Sequence, residues 1–259
     1  MIITNKKQLK VYKQACNLST QILAALKDKL KSGIYPIDID DYAQQLCKQY
    51  KVKSAFIDVG KPDNPYKYAT CISINDTVVH GIPSKTRKIK KGDIVKIDFG
   101  IIYQGFYTDH CFTVSIGPPK LQDKKLILTA KKAVQSAISL AIVNNTVGDL
   151  GHAMQSIANK AGFDVLKKYT GHGIGKTLHD PPIIPAHGKP NTGPKLQQGM
   201  VICLEAQVVA GNDQVYIAQD GWTVKMKDHQ NTAMFEYIVV VDKNKPKILT
   251  HTLDWSIIV

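Results

Sequence analysis

Gly92-Asp-Ile-Val-Lys-Ile-Asp98 and Gly199-Met-Val-Ile-Cys-Leu-Glu205 share one pattern: a glycine, an apolar strand-like run, and a carboxylate six positions after the glycine. Burying an ionised carboxylate in such a run costs several kcal/mol unless a cation or a set of hydrogen-bond donors compensates for it. Two more carboxylates have similar surroundings. Asp109 lies in Gly105-Phe-Tyr-Thr-Asp-His-Cys-Phe-Thr-Val and Glu236 in Ala233-Met-Phe-Glu-Tyr-Ile-Val-Val-Val, both apolar and β-branched enough to read as interior strands. No Lys or Arg falls inside the runs carrying Asp109, Glu205 or Glu236, and Lys96, on the same face as Asp98, supplies a single charge. Four carboxylates against one ammonium ask for two divalent cations, and hard oxygen donors with one imidazole suit Mn, Fe, Co or Zn better than a thiolate cage does.

Three histidines offer that imidazole. His172 stands in Thr170-Gly-His-Gly-Ile-Gly175, framed by glycines that take unusual backbone conformations and let the chain approach a ligand closely. His179 follows in Leu178-His-Asp-Pro-Pro182, and His80 in Val78-Val-His-Gly-Ile-Pro83. The residues alone leave open which of them completes a metal site; the others are free for acid-base or hydrogen-bonding work.

Taken in order, Asp98, Asp109, His172, Glu205 and Glu236 resemble the five metal ligands of the type I methionine aminopeptidases. The surrounding strings His-Gly-Ile-Pro, Asp-Phe-Gly, Thr-Asp, Gly-His-Gly-Ile-Gly, Leu-Glu and Phe-Glu are similar to that family's motifs, and the resemblance runs from about residue 5 to 241. It implies two divalent metal ions shared by those five residues, with Glu205 also moving protons to and from a bridging water. It implies that His179 hydrogen-bonds the scissile carbonyl, that His80 contacts the neighbouring amide, and that Tyr66, Cys71 and Trp222 wall an apolar methionine pocket. A monovalent cation is expected near Asn75, Thr77 and Thr232. The implied reaction removes the initiator methionine from nascent polypeptides whose second residue is small, so the partner is the nascent N-terminus, with transient ribosome contact as a further expectation.

The sequence departs from the family pattern at Leu178, where an aromatic is common, and in Gly60 to Asn64, where a cysteine and a tyrosine often stand. These changes bear on the shape of the pocket. Two other readings share the fold. Aminopeptidase P and prolidase carry similar ligands but usually an added N-terminal domain, for which the residues before His80 leave no room. A ribosome-associated binding module would have lost ligands, whereas all five positions are filled here. The zinc-binding N-terminal extension of many eukaryotic type I enzymes and the long insert of type II enzymes are not seen, which leaves a compact, bacterial-looking form expected to be monomeric.

Composition sets further bounds. At 259 residues and 44% apolar content, the chain can bury a substantial core as one catalytic domain, 1–259. No signal peptide is read at Met1, and no apolar run approaches the length of a membrane span. Five cysteines without Cys-x-x-Cys spacing argue against a disulfide framework and a zinc ribbon, and for a reducing, cytoplasmic setting. The net charge of +13 comes with a single arginine, Arg87. A base reader would use arginine for its bidentate geometry, so the excess reads as lysine-biased composition, with Lys85–Lys91 the segment where an RNA contact would be sought.

The elements that must hold these residues fall into two similar halves. Asn5 caps a long amphipathic helix carrying Leu9, Tyr12, Cys16, Ile22, Leu26 and Leu30 and ended by Gly33; a second helix runs from Asp38 to about Tyr50. Strands are expected near 70–80, 93–99 and 106–116, the last two joined by a hairpin at Tyr103-Gln-Gly105. After Pro118-Pro119, a helix presents Ile127, Ala130, Val134, Ala137 and Ala141, another starts near Asp149, and strands follow near 201–210, 214–218, 222–227 and 233–241. Asp38-Ile39 recurs as Asp149-Leu150, and Gly92 as Gly199, at nearly equal offsets, which predicts a duplicated, pseudo-symmetric domain with its site on the axis between the halves. The family resemblance implies the same α+β picture: the pita-bread fold, an antiparallel curved sheet flanked by two helix pairs.

Overall fold

A computed structural model describes residues 1–259. Helix α1 (Lys6–Lys29) begins where Asn5 predicts, its side-chain oxygen accepting from the Gln8 N–H at 2.9 Å and so satisfying one of the donors orphaned in a first helical turn. It ends before Gly33: Leu30 caps it, and Gly33, at φ +94°, shapes the turn beyond. Helix α2 (Pro36–Gln49) starts ahead of Asp38, because Pro36 opens it and Asp38 sits at its third position, where the carboxylate accepts from the Tyr35 N–H. Helices α3 (Leu121–Ser139) and α4 (Val147–Lys160) follow in the second half, and Asp149 does for α4 what Asp38 does for α2, accepting from the Thr146 N–H. The recurring Asp is thus the same device at two equivalent helix starts. Ala141 falls just past α3 and is buried all the same.

The first expected strand is broken. Strand β1 (Thr70–Ile74) and strand β2 (Thr77–Val79) are separated at Asn75, which has φ +53°. Strand β3 (Ile94–Phe99) leads into a short hairpin, Ile101–Tyr103 against Phe106–Tyr107, whose turn residues Gln104 and Gly105 both have positive φ, as a tight hairpin turn requires. Strand β4 starts only at His110 (His110–Ser115), so Asp109 lies in a gap and not inside a strand as its apolar surroundings suggested. The cause is Thr108: its N–H and hydroxyl fold back onto the carbonyl and N–H of Ile101, tying the chain to the hairpin before it can join β4.

In the second half, β5 (Gly171–Gly173) and β6 (Asp180–Ile184) are strands that the sequence pattern did not announce; β7 (Val201–Val209), β8 (Val215–Ile217), β9 (Val224–Met226) and β10 (Thr232–Val240) lie where expected. Of the five antiparallel sheets, β8-β9-β2 forms one, and two carry the candidate site, ordered β1-β3-β4 and β6-β5-β7-β10. Their edges meet at β4 and β10, where the buried Thr113 hydroxyl donates to the Met234 carbonyl and accepts from the Met234 N–H. Helices α1 and α2 cover the first sheet, α3 and α4 the second. This is the expected α+β pita-bread arrangement.

Side chains alternate across a strand, so burying Ile97, Phe99, Leu204, Phe235 and Tyr237 against Ile22, Leu26, Ile127 and Val134 of the helices sends their neighbours to the other face. Those neighbours are Lys96, Asp98, Glu205, Gln207 and Glu236. After β10 the chain pairs back on it at Lys247–Ile248 and then reaches the first sheet: Ser115 N–H donates to the Ile257 carbonyl, and Trp255 meets Phe112 edge to face. No helix is long and apolar enough to cross a membrane.

Candidate metal centre and adjoining pocket

The five residues singled out as ligands converge on the helix-free face. Glu205 and Glu236 are directly opposed in the β7–β10 register, and oxygens of Asp98, Asp109 and Glu236 lie within 4.8 Å of one another. Like charges placed so destabilise a sheet. His172 reaches across from β5, its Nε2 3.7 Å from Asp109 and 3.9 Å from Glu236. Its Nδ1 donates to its neighbour Gly173's carbonyl at 2.9 Å, which leaves Nε2 as a lone pair facing the carboxylates. His172 and His179 both bring a ring nitrogen within 4.8 Å of an Asp109 oxygen, and of the two only His172 also comes that close to Glu236.

The glycines around it act differently from the expected way. Neither Gly171 nor Gly173 has positive φ; a Cβ would lie 2.5 Å from the Cys203 carbonyl at Gly171 and 2.1 Å from the Pro181 carbonyl at Gly173. They let β5 be squeezed between β6 and β7.

Burial dominates the electrostatics of the cluster. It pushes Asp98 up to about 7, and it raises Glu205 to about 8 with help from the Asp98 charge. Asp109 and Glu236 are driven well above the usual carboxylate range, by burial first and by their acidic neighbours second. Asp98 Oδ1, Asp109 Oδ1 and Glu236 Oε1 are buried and accept no hydrogen bond. Orphaned carboxylate oxygens aimed at one another, with an imidazole lone pair beside them, fit divalent cations. Lys96 does not relieve them. Its ammonium turns to Asn75 and Thr232, among the oxygens expected to hold a monovalent ion.

Two residues of this face escaped the sequence reading. Gln207, two positions after Glu205 on the same side of β7, donates to Glu205 Oε2, and the alternation of β7 was the available signal. Cys203 sits opposite His172, and burial, then Glu236, keep its thiol protonated as a donor to the Asp109 carbonyl.

An apolar pocket opens beside the cluster. Tyr66, Cys71, Leu178 and Trp222 line it with Phe56 and Val59, which had not been foreseen, while His80, His179, Asp98 and Asp109 form its inner end. Tyr66 and Trp222 meet edge to face at 5.1 Å, and the Tyr66 hydroxyl is held by the Thr70 carbonyl at 2.8 Å. The indole N–H of Trp222 donates to the Asn64 carbonyl, and a Cβ at Gly60 would strike its ring at 2.4 Å. The variant segment Gly60 to Asn64 is thus the support of the pocket wall. His179 stacks edge-on to His172 at 4.5 Å, and His80, at φ +55°, faces Trp222 and Tyr169. Burial lowers His80 to about 4 and His179 in the same direction, so both are neutral near pH 7.

Residues 10–243 match the profile of Metallopeptidase family M24. The chain belongs to this family. Within the M24 metallopeptidases it is 36% identical to a methionine aminopeptidase of Aquifex aeolicus over 95% of this chain and 97% of that one. It is 32% identical to methionine aminopeptidase 1 of Bacillus subtilis, over 96% and 99%. Among solved structures, methionine aminopeptidase from Thermotoga maritima superposes with a TM-score of 0.91 at 34% identity, covering 96% of this chain and 99% of that one. Prolidase from Pyrococcus furiosus shares the M24 fold at a TM-score of 0.77 and 22% identity, this chain spanning 66% of its length.

Proposed function

We propose that this chain is a dinuclear methionine aminopeptidase, acting on the N-terminus of nascent polypeptides whose second residue is small. The observation that carries the reading is the join between pocket and cluster: Asp98 and Asp109 belong to both, so a side chain filling the pocket brings the adjoining peptide bond to the carboxylates. The pocket walls are apolar and aromatic, with no charged group beyond those two aspartates, which suits an unbranched apolar side chain.

Asp98, Asp109, His172, Glu205 and Glu236 would hold the two cations. When bound, these supply Lewis acidity and a water acidified enough to attack near neutral pH. Glu205, steadied by Gln207, would serve as the base that accepts a proton from the attacking water and delivers it to the leaving amine. His179, neutral at the inner end of the pocket, donates to the carbonyl oxygen as negative charge grows on it, and His80 positions the neighbouring amide. The geometry favours no proline-specific or purely binding role over this one. A compact chain with its basic residues spread over the surface is consistent with a monomer that meets the ribosome transiently in the cytoplasm.

The test is hydrolysis of Met-Ala-Ser beside Leu-Ala-Ser and Ala-Pro-Ala by metal-stripped protein, before and after addition of manganese or cobalt, with Asp98→Asn as control. Metal-dependent release of methionine alone is expected. Release from Ala-Pro-Ala would move the chain to the proline-specific branch, and silence on all three with metal bound would overturn the enzymatic reading.

A further inference from the structure

Lys96 is 1% exposed, yet it ends on no carboxylate. Its Nζ donates to three uncharged oxygens: the Asn75 carbonyl at 2.9 Å, the Thr232 carbonyl at 3.0 Å and the Thr232 hydroxyl at 2.9 Å. That hydroxyl has an acceptor of its own in the Thr77 carbonyl at 3.3 Å, so it accepts a hydrogen bond from Nζ and donates one onward. All three N–H groups of an ammonium find an acceptor, which works against the burial that lowers this amine to about 7.

The cage around it is built in advance. Asn75 holds a left-handed backbone, its side chain pinned between Asp93 and the Ile94 N–H, and Arg87 pins Asp93 in turn. Thr232 N–H donates to the Asn75 carbonyl, closing the ring. Converging carbonyls and a hydroxyl without an anion form the donor set by which a protein replaces the hydration shell of a monovalent cation. Here the chain supplies that cation on its own stem.

We propose that the Lys96 ammonium is a tethered monovalent cation, filling this cage and making the protein independent of free sodium or potassium. It also ties the halves together. Lys96 stands two residues before Asp98 on β3, and Thr232 opens β10, the strand of Glu236, so one ammonium fixes two ligand-bearing strands relative to each other. Lys96 is in this sense a positioning residue. The inference concerns the cage and stands whatever substrate the site takes.

The experiment compares thermal midpoints of wild type, Lys96→Ala and Lys96→Met in choline, sodium and potassium chloride at equal ionic strength, with and without manganese, alongside Met-Ala-Ser hydrolysis. Wild type is expected to show one midpoint and one rate in all three salts. Lys96→Ala, which empties the cage, should melt several degrees lower in choline and recover part of that loss in sodium or potassium, with its activity following. Lys96→Met, which fills the stem's path without charge, should be low in every salt. An ion-specific rise of the wild-type midpoint or rate in sodium or potassium would overturn the proposal, as would a folded Lys96→Ala indifferent to small cations. Should Lys96→Ala fail to fold, the wild-type comparison decides alone.

Discussion

His172 and His179 are the same residue type with ring centroids 4.5 Å apart, and what separates their roles is a single hydrogen bond. The Gly173 carbonyl fixes a proton on Nδ1 of His172 and leaves Nε2 to ligate, whereas His179 sits on the pocket's inner end in a loop anchored by the Met1 ammonium and Thr177 on Asp180. His179→Ala is therefore expected to lower kcat on Met-Ala-Ser by roughly a hundredfold or more while the protein still gains thermal stability from manganese. His172→Ala should lose that gain. Steady-state kinetics paired with melting curves separate the two, and a His179→Ala protein that no longer responds to manganese would refute the assignment. The residues alone left open which of the three histidines ligates, because a tautomer is set by a neighbour in space, and only the family resemblance singled out His172. The four carboxylates were legible for the opposite reason: charge in an apolar run is anomalous wherever the run folds.

At the scale of elements, long helices and fully buried strands such as β7 and β10 were readable from period and length, while their interruptions were not. β5 is three residues long and two of them are glycines, so no alternation marks it; the gap at Thr108-Asp109 depends on a hydroxyl folding back on Ile101. The junction of the two sheets is another such feature, since nothing in the run around Thr113 announces that its hydroxyl replaces a backbone ladder between β4 and β10. Met234 loses both backbone partners if that hydroxyl goes, in a site from which water is excluded. Thr113→Val, close in shape, should destabilise the protein by about 1–3 kcal/mol, measurable in urea unfolding with an unchanged slope. A neutral outcome would mean that packing alone aligns the sheets.

For the molecule as a whole, each half brings two carboxylates to one shared face, and the cost of gathering them should appear as a pH dependence that metal removes. Asp98 and Glu205, pushed up to about 7 and about 8 by burial, hold protons in the folded metal-free protein that the unfolded chain has already released. Stability drawn from them is complete below their ordinary values of 3.8 and 4.5 and falls as pH rises toward 7 and 8. His80 and His172 run the other way: lowered to about 4 from 6.5, mainly by burial, they make folding more favourable as pH rises through that interval and change nothing above it. The opposing trends overlap below pH 6.5; above it the four raised carboxylates outnumber the one group that runs against them, Lys96, which burial lowers to about 7 and which favours folding only as pH climbs past that value. The midpoint of metal-free protein should therefore fall between about pH 6.5 and 8, and the rise on adding manganese should grow across the same interval, because a bound cation favours the ionised form that burial penalises. Melting curves at closely spaced pH, with chelator and with manganese, measure both. A metal-free midpoint that stays level or climbs through this window would mean that donors within the chain already compensate the ionised carboxylates, and the argument for divalent cations from their burial would fail.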